Sequence, residues 1–298
     1  MPVTGGRLAV SRWPADDPGA PVVLALHGIT ANGLSWARVA HHLAGRVTLV
    51  APDLRGRGRS GEVPGPYGIA AHADDMAAVV QALGGGRVVL TGHSMGAFTA
   101  ALTAVRHPHL LTGLLLVDGG VGFPVPAGLD PDELITSVLG PAMRRLSMTF
   151  PDREAYRAFW QSHPGFAGSW SPWVDDYIQR DLVGQEPELR SSCSLEAVRT
   201  DGVDQLGALV SGAVHRLPLP AVLLWAPRGL MDEPQGLYDE RRLAAAGLDP
   251  GRVRALPVPE TNHYSIVVGD VGARVVARHL LAAAGVETSG DPGGTASG

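Results

Sequence analysis

Cysteine is almost missing from this chain of 298 residues: Cys193 stands alone. No internal disulfide can form, and the sequence reads as one for a reducing, cytoplasmic setting. Positive charge is not in excess either. With 24 basic and 29 acidic residues the net charge is −5, which excludes the basic footprint of a nucleic-acid binder. No apolar run approaches the ~18 residues of a membrane span, and the first residues lack the basic-then-apolar pattern of a secretion signal. His and Cys form no cluster at metal-ligand spacing, and no internal repeat is visible. The expectation is a soluble protein with no membrane or nucleic-acid partner.

What is present is an ordinary globular composition, 45% apolar and 18% charged, long enough for one α/β domain with an insertion or for two domains. Apolar runs that read as doubly buried strands occur at Pro21–Leu26, Val47–Val50, Val88–Thr91, Leu114–Asp118 and Ala221–Trp225. Further strands are expected near Arg7–Val10 and Val253–Leu256. Helical spacing lies between them, through Leu34–Leu43, Met76–Leu83, Ala100–Leu102, Tyr238–Ala246 and Val271–Leu280. Such alternation predicts a mostly parallel, doubly wound α/β sheet.

The alternation breaks from Gly119 to Ala213, where nine of the sixteen aromatic residues fall. The expected organisation is therefore a core in two parts, 1–118 and 214–285, an inserted helical cap at 119–213, and a Gly, Ser, Thr and Pro-rich tail at 286–298 that reads as disordered.

Chemistry concentrates at Gly92-His93-Ser94-Met95-Gly96. Glycine is abundant, 39 of 298 residues, so a Gly-x-Ser-x-Gly pentapeptide alone is weak; its place between a strand and a helix strengthens it. A serine there sits on a tight turn at a helix N-terminus, with Oγ in the open. Its activation needs a base of near-neutral pKa, a histidine. Of eleven histidines, His263 follows the last expected strand, where the sheet's C-terminal edge brings it over Ser94. His93 is read as structural and His27 as a hydrogen-bonded core histidine. Gly56-Arg57-Gly58-Arg59-Ser60-Gly61 matches a dinucleotide fingerprint, but Pro64 and Pro66 follow it where a helix must start, so nucleotide binding is rejected. The three arginines here, Arg55, Arg57 and Arg59, read as a solvated turn, with anion binding as the alternative.

These residues carry a resemblance over about 7–285. His27-Gly28, Asp53-x-x-Gly56-x-Gly58-x-Ser60, the pentapeptide around Ser94, the acidic loop at Asp232 and Asn262-His263 follow in the order seen in the α/β-hydrolase fold. The chain is similar to lidded esterases, lactonases and haloperoxidase-like enzymes of that fold. The resemblance implies a Ser–acid–His triad in which Asp232 is the preferred acid and Asp118, ending the preceding strand, the alternative. The loop Pro227–Glu233 departs from the family's commoner Gly-x-x-Asp spacing. It also implies an oxyanion hole from the N–H groups of Ile29 and Met95. The cap aromatics form either the cap's own core or, with Trp160, Trp173, Met143 and Met148, the wall of an apolar substrate pocket. The implied function is a cofactor-independent serine hydrolase that cleaves a small to medium apolar carboxylic ester or lactone through an acyl-enzyme. C–C bond or thioester hydrolysis, perhydrolysis, acyl transfer and a receptor-like binding role are the alternatives. A serine at position 94 speaks against dehalogenase or epoxide hydrolase chemistry, which needs a carboxylate there.

Overall fold

The computed structural model describes residues 1–122, 128 and 143–287. Its centre is a seven-stranded sheet of β1 (Val10–Trp13), β2 (Val22–Leu26), β3 (Thr48–Pro52), β4 (Val88–His93), β5 (Leu111–Val117), β6 (Ala221–Trp225) and β7 (Val253–Pro257). The spatial order is β7-β6-β5-β4-β2-β3-β1. Every neighbouring pair is parallel except β1 with β3. The central strands are buried on both faces, which is why they read as unbroken apolar runs rather than as alternation. The first strand differs from expectation. Gly6–Arg7 pairs with Pro2–Val3 in a small hairpin, and the sheet begins only at Val10.

Helices cover both faces. Helix α1 (Ala37–Leu43), preceded by a 3₁₀ turn capped by Asn32, shares one core layer with Val276, Ala277 and Leu280 of the C-terminal helix Asp270–Ala283. On the other face α2 (Ile69–Ala82) and α3 (Met95–Arg106) pack side by side. Helix α3 is buried from Met95 through Ala104, and its small side chains let it lie flat on the sheet.

Between β5 and β6 the chain leaves the sheet. It forms helices α4 (Arg153–Gln161), α5 (Pro172–Arg180) and α6 (Leu195–Leu206), with a three-stranded antiparallel sheet of Thr149–Phe150, Leu189–Ser191 and Leu182–Val183. Asp152, Ser171 and Ser194 cap the three helices by accepting from the N–H groups of Ala155, Val174 and Ala197. Residues 123–127 and 129–142 of this stretch, and 288–298 of the expected tail, lie outside the described residues. No helix among the described residues is long and apolar enough to cross a membrane.

The sheet meets α3 at Ser94, where the chain turns so tightly that a Cβ on Gly92 would overlap the Gly96 carbonyl. A Cβ on Gly96 would overlap that of Leu26. Neither backbone group can yield, so Gly96→Ala is expected to cost about 3 kcal/mol or more. Gly86, with open space around it, should tolerate alanine with little change; paired thermal melts of the two variants check this.

Candidate active site

Ser94 is held at φ +56° and ψ −123°, outside the relaxed regions for a side-chain-bearing residue. Its N–H donates to the Val117 carbonyl at 3.0 Å. The turn delivers the side chain to a cavity of about 860 Å³ at the C-terminal edge of the sheet. His263 and Asp118 line the same cavity.

The two are joined. His263 Nδ1 lies 2.7 Å from Asp118 Oδ2, and both side chains are buried. A carboxylate only accepts, so Nδ1 carries a proton, and in the neutral ring the other nitrogen is the acceptor. Asp118 is fixed by its surroundings: its N–H donates to Leu224 O at 2.7 Å, and its Oδ1 accepts from Ala226 N–H at 3.0 Å. His93 supports the imidazole from behind. Its Nε2 donates to the His263 carbonyl at 2.8 Å, and the two rings lie 4.6 Å apart. Burial, and then the neighbouring His263, hold His93 well below the usual histidine range, so it stays a neutral donor.

The preferred acid of the sequence reading is therefore displaced. Asp232 does not reach His263; its carboxylate accepts from Arg228 at 2.8 and 2.6 Å and from Asn262 Nδ2 at 2.9 Å. Arg228, four residues earlier, is a local partner visible in the sequence. Asp118, the alternative, occupies the place beside the imidazole.

Met95 follows Ser94 in the chain, and Ile29 lines the same cavity as Ser94. Among the described residues neither N–H donates to another protein group. The loop that carries Ile29 is pinned by His27, whose Nδ1 donates to Gly28 O at 2.7 Å while Nε2 accepts from Leu54 N–H at 2.9 Å. Burial pushes His27 down to about 3, so both bonds persist through the neutral range.

The expected pocket residues are not on the cavity wall. Trp160 is buried within the insertion's own core, among Tyr156, Phe159 and Phe166. Trp173, half-buried, packs against His41 and Arg38 of α1. Met148 packs on that same insertion core and Met143 on the main core. The wall is built instead from Phe98, Val121, Tyr177, Leu206, Leu230 and Tyr264, among others. Of the described aromatic residues in the stretch that the sequence singled out, only Tyr177 lines the cavity. The solvated turn holds only for Arg59, which is exposed; Arg55 and Arg57 are buried, paired with Asp75 and Asp201.

A model of the alpha/beta hydrolase fold matches residues 21–266. A lipase of Mycobacterium tuberculosis, LipV, is 39% identical over 114 residues, 38% of this chain and 42% of the lipase. The 2-(acetamidomethylene)succinate hydrolase of Mesorhizobium japonicum is 34% identical over 98 residues, 33% of this chain and 35% of that enzyme. The chain thus spans less than half the length of the curated relatives it matches. The solved thioesterase domain from the curacin biosynthetic pathway superposes with a TM-score of 0.73 at 21% identity, over 94% of this chain and 97% of that one. At that identity the likeness is one of fold.

The His263–Asp118 contact predicts a strongly downfield Nδ1 proton in the ¹H NMR spectrum. It should vanish in Asp118→Asn and persist in Asp232→Asn.

Proposed function

The chain belongs to the α/β-hydrolase fold family, and from that premise we propose that it is a serine hydrolase of small to medium, largely apolar carboxylic esters or lactones. The observation that carries the reading is the buried His263–Asp118 pair at 2.7 Å on the wall of the cavity that also receives Ser94. In this mechanism Ser94 Oγ attacks the substrate carbonyl carbon and its proton passes to the unprotonated nitrogen of His263. Asp118 holds the ring and stabilises the imidazolium. The Ile29 and Met95 N–H groups receive the oxyanion, helped by the dipole of α3. Collapse expels the alcohol, which takes the proton from His263. Water then attacks the acyl-enzyme with His263 again as base, and the acid and free Ser94 are released.

The substrate class follows from the walls. Phe98, Val121, Leu206 and Leu230 make them mainly apolar, and about 860 Å³ accommodates a molecule of modest size. The insertion contributes Tyr177 and Leu206 to the roof, so we read it as a lid that selects the substrate.

Three outcomes test this. Ser94→Ala should fold normally, lose covalent labelling by a fluorophosphonate and lose multiple turnovers on p-nitrophenyl esters; labelling that survives would falsify the assignment. Asp118→Asn should lower kcat about 10⁴-fold, whereas Asp232→Asn should change it only a few-fold, both measured per folded molecule. Leu206→Trp should shift the preferred acyl chain length of p-nitrophenyl esters. Trp160→Ala, by contrast, should cost about 3–5 kcal/mol of stability and leave the relative kcat/KM values across chain lengths unchanged.

A further inference from the structure

Three successive carbonyls of the loop beside Ser94 each receive a side-chain donor. Gly28 O takes His27 Nδ1 at 2.7 Å, Ile29 O takes Arg57 Nε at 2.9 Å, and Thr30 O takes Arg145 Nη2 at 3.2 Å. A peptide unit is planar, so fixing one carbonyl fixes the direction of the next N–H. His27 thereby sets the plane that contains the Ile29 N–H, and Arg57 sets the plane that follows it. Both torsions of Ile29 are then constrained.

The two arginines are not held by the loop itself. Arg57, wholly buried, pairs with Asp201 of α6 at 2.5 Å. Asp201 also accepts from Gly68 N–H at 2.6 Å and lies 2.8 Å from His72 Nε2. These partners outweigh the effect of burial and hold its carboxyl below the usual carboxylate range, so the pair stays charged. Arg57 Nη2 also reaches the Met95 sulfur at 3.9 Å, so one guanidinium touches the residues bearing both oxyanion donors. Arg145 and its carboxylate, Asp181, both belong to the insertion; they are joined directly and bridged by Tyr156, whose hydroxyl lies 2.7 Å from Arg145 and 2.5 Å from Asp181. Ser191 and Ser192 complete Asp181 at 3.0 and 2.9 Å. Burying two guanidinium–carboxylate pairs is a poor route to stability compared with apolar packing. What the planar, permanently charged guanidinium does supply is several donors at fixed angles, enough to hold its aspartate and a carbonyl at once.

We propose that Arg57 and Arg145 are positioning residues through which the seating of the insertion sets the oxyanion hole: the Arg57–Asp201 pair fixes the Ile29–Thr30 peptide and the Arg145–Asp181 pair the Thr30–Ala31 peptide, and together they hold the loop in which the Gly28–Ile29 peptide, set by His27, turns the Ile29 N–H to the oxyanion. This rests on the reading of Ile29 and Met95 as the oxyanion donors. The insertion is then part of the transition-state machinery as well as a lid.

The test compares p-nitrophenyl acetate with its thiono analogue, in which C=S replaces the reacting C=O. Sulfur is the weaker hydrogen-bond acceptor, so a formed oxyanion hole favours the oxygen ester. Arg57→Lys and Arg145→Lys keep a buried charge beside each aspartate but lack the fork that reaches the carbonyl. Each should lower kcat/KM for the oxygen ester and compress the oxygen-to-sulfur preference about tenfold. Arg55→Lys is the control. It disturbs an equally buried pair, Arg55–Asp75, whose other contacts are to Pro64 O and Thr4 O rather than to the Ile29 loop; it should lower the melting temperature and leave the preference intact. If a lysine variant does not fold, Asp201→Asn or Asp181→Asn takes its place in the same comparison. An unchanged preference in the folded variants, or equal compression in Arg55→Lys, overturns the proposal. A wild-type protein with no oxygen-over-sulfur preference, or no turnover of the oxygen ester, fails earlier and differently: it removes the oxyanion reading and the proposal with it.

Discussion

The turn at Ser94 is the constraint on which the rest depends. It brings the end of β4 and the start of α3 so close that backbone carbonyls occupy the space of any side chain at Gly92 or Gly96. In return the serine is bound to β5 through its N–H and presents its hydroxyl at the end of a buried helix. The strain at φ +56° persists because the sheet and α3 together over-determine the turn. Strands β5 and β6 then bring their own ends to the same edge, and Asp118, itself at φ +44°, is locked there by the neighbouring strand.

Much of this was legible in the sequence, for a physical reason. A parallel sheet covered on both faces must write its strands as continuous apolar runs, so β2, β4, β5 and β6 stand out from composition alone. The place of Ser94 between a strand and a helix is likewise a local property. The choice between Asp118 and Asp232 is not. Both follow a strand, and only the path of the chain around His263 decides which carboxylate it meets. The Arg228–Asp232 spacing was the one local hint, since a carboxylate with its own guanidinium four residues away is already occupied.

The aromatic-rich stretch shows the same limit. Its tryptophans stand at irregular spacings that fit a core as well as a pocket, and the structure spends Trp160 on the core and Trp173 on a contact with α1. The buried arginines were less visible still. Arg55-Gly56-Arg57 reads as a polar turn because the partners Asp75 and Asp201 lie far along the chain. Every one of the 24 basic side chains is an arginine; there is no lysine. The chain therefore relies throughout on a group that cannot shed its proton, which suits cations that must stay charged without water.

The insertion is tied to the core by more than apolar contact. Arg180 of α5 grips Asp53, whose carboxylate also holds Gly33 N–H and Arg59 N–H at 2.8 Å each. Asn32 donates to Tyr177 O at 2.9 Å, and Asp201 and Asp204 accept the N–H groups of Gly68 and Ile69 at the start of α2. An engineer who treated this segment as a module and grafted in its counterpart from a relative would leave a buried guanidinium and a buried carboxylate without their opposite charges and two helix-end amides without their acceptors. Such chimeras would have to carry the facing loops, 27–33 and 53–59, along with the segment. Those loops and the segment would also tend to change together when the protein diverges.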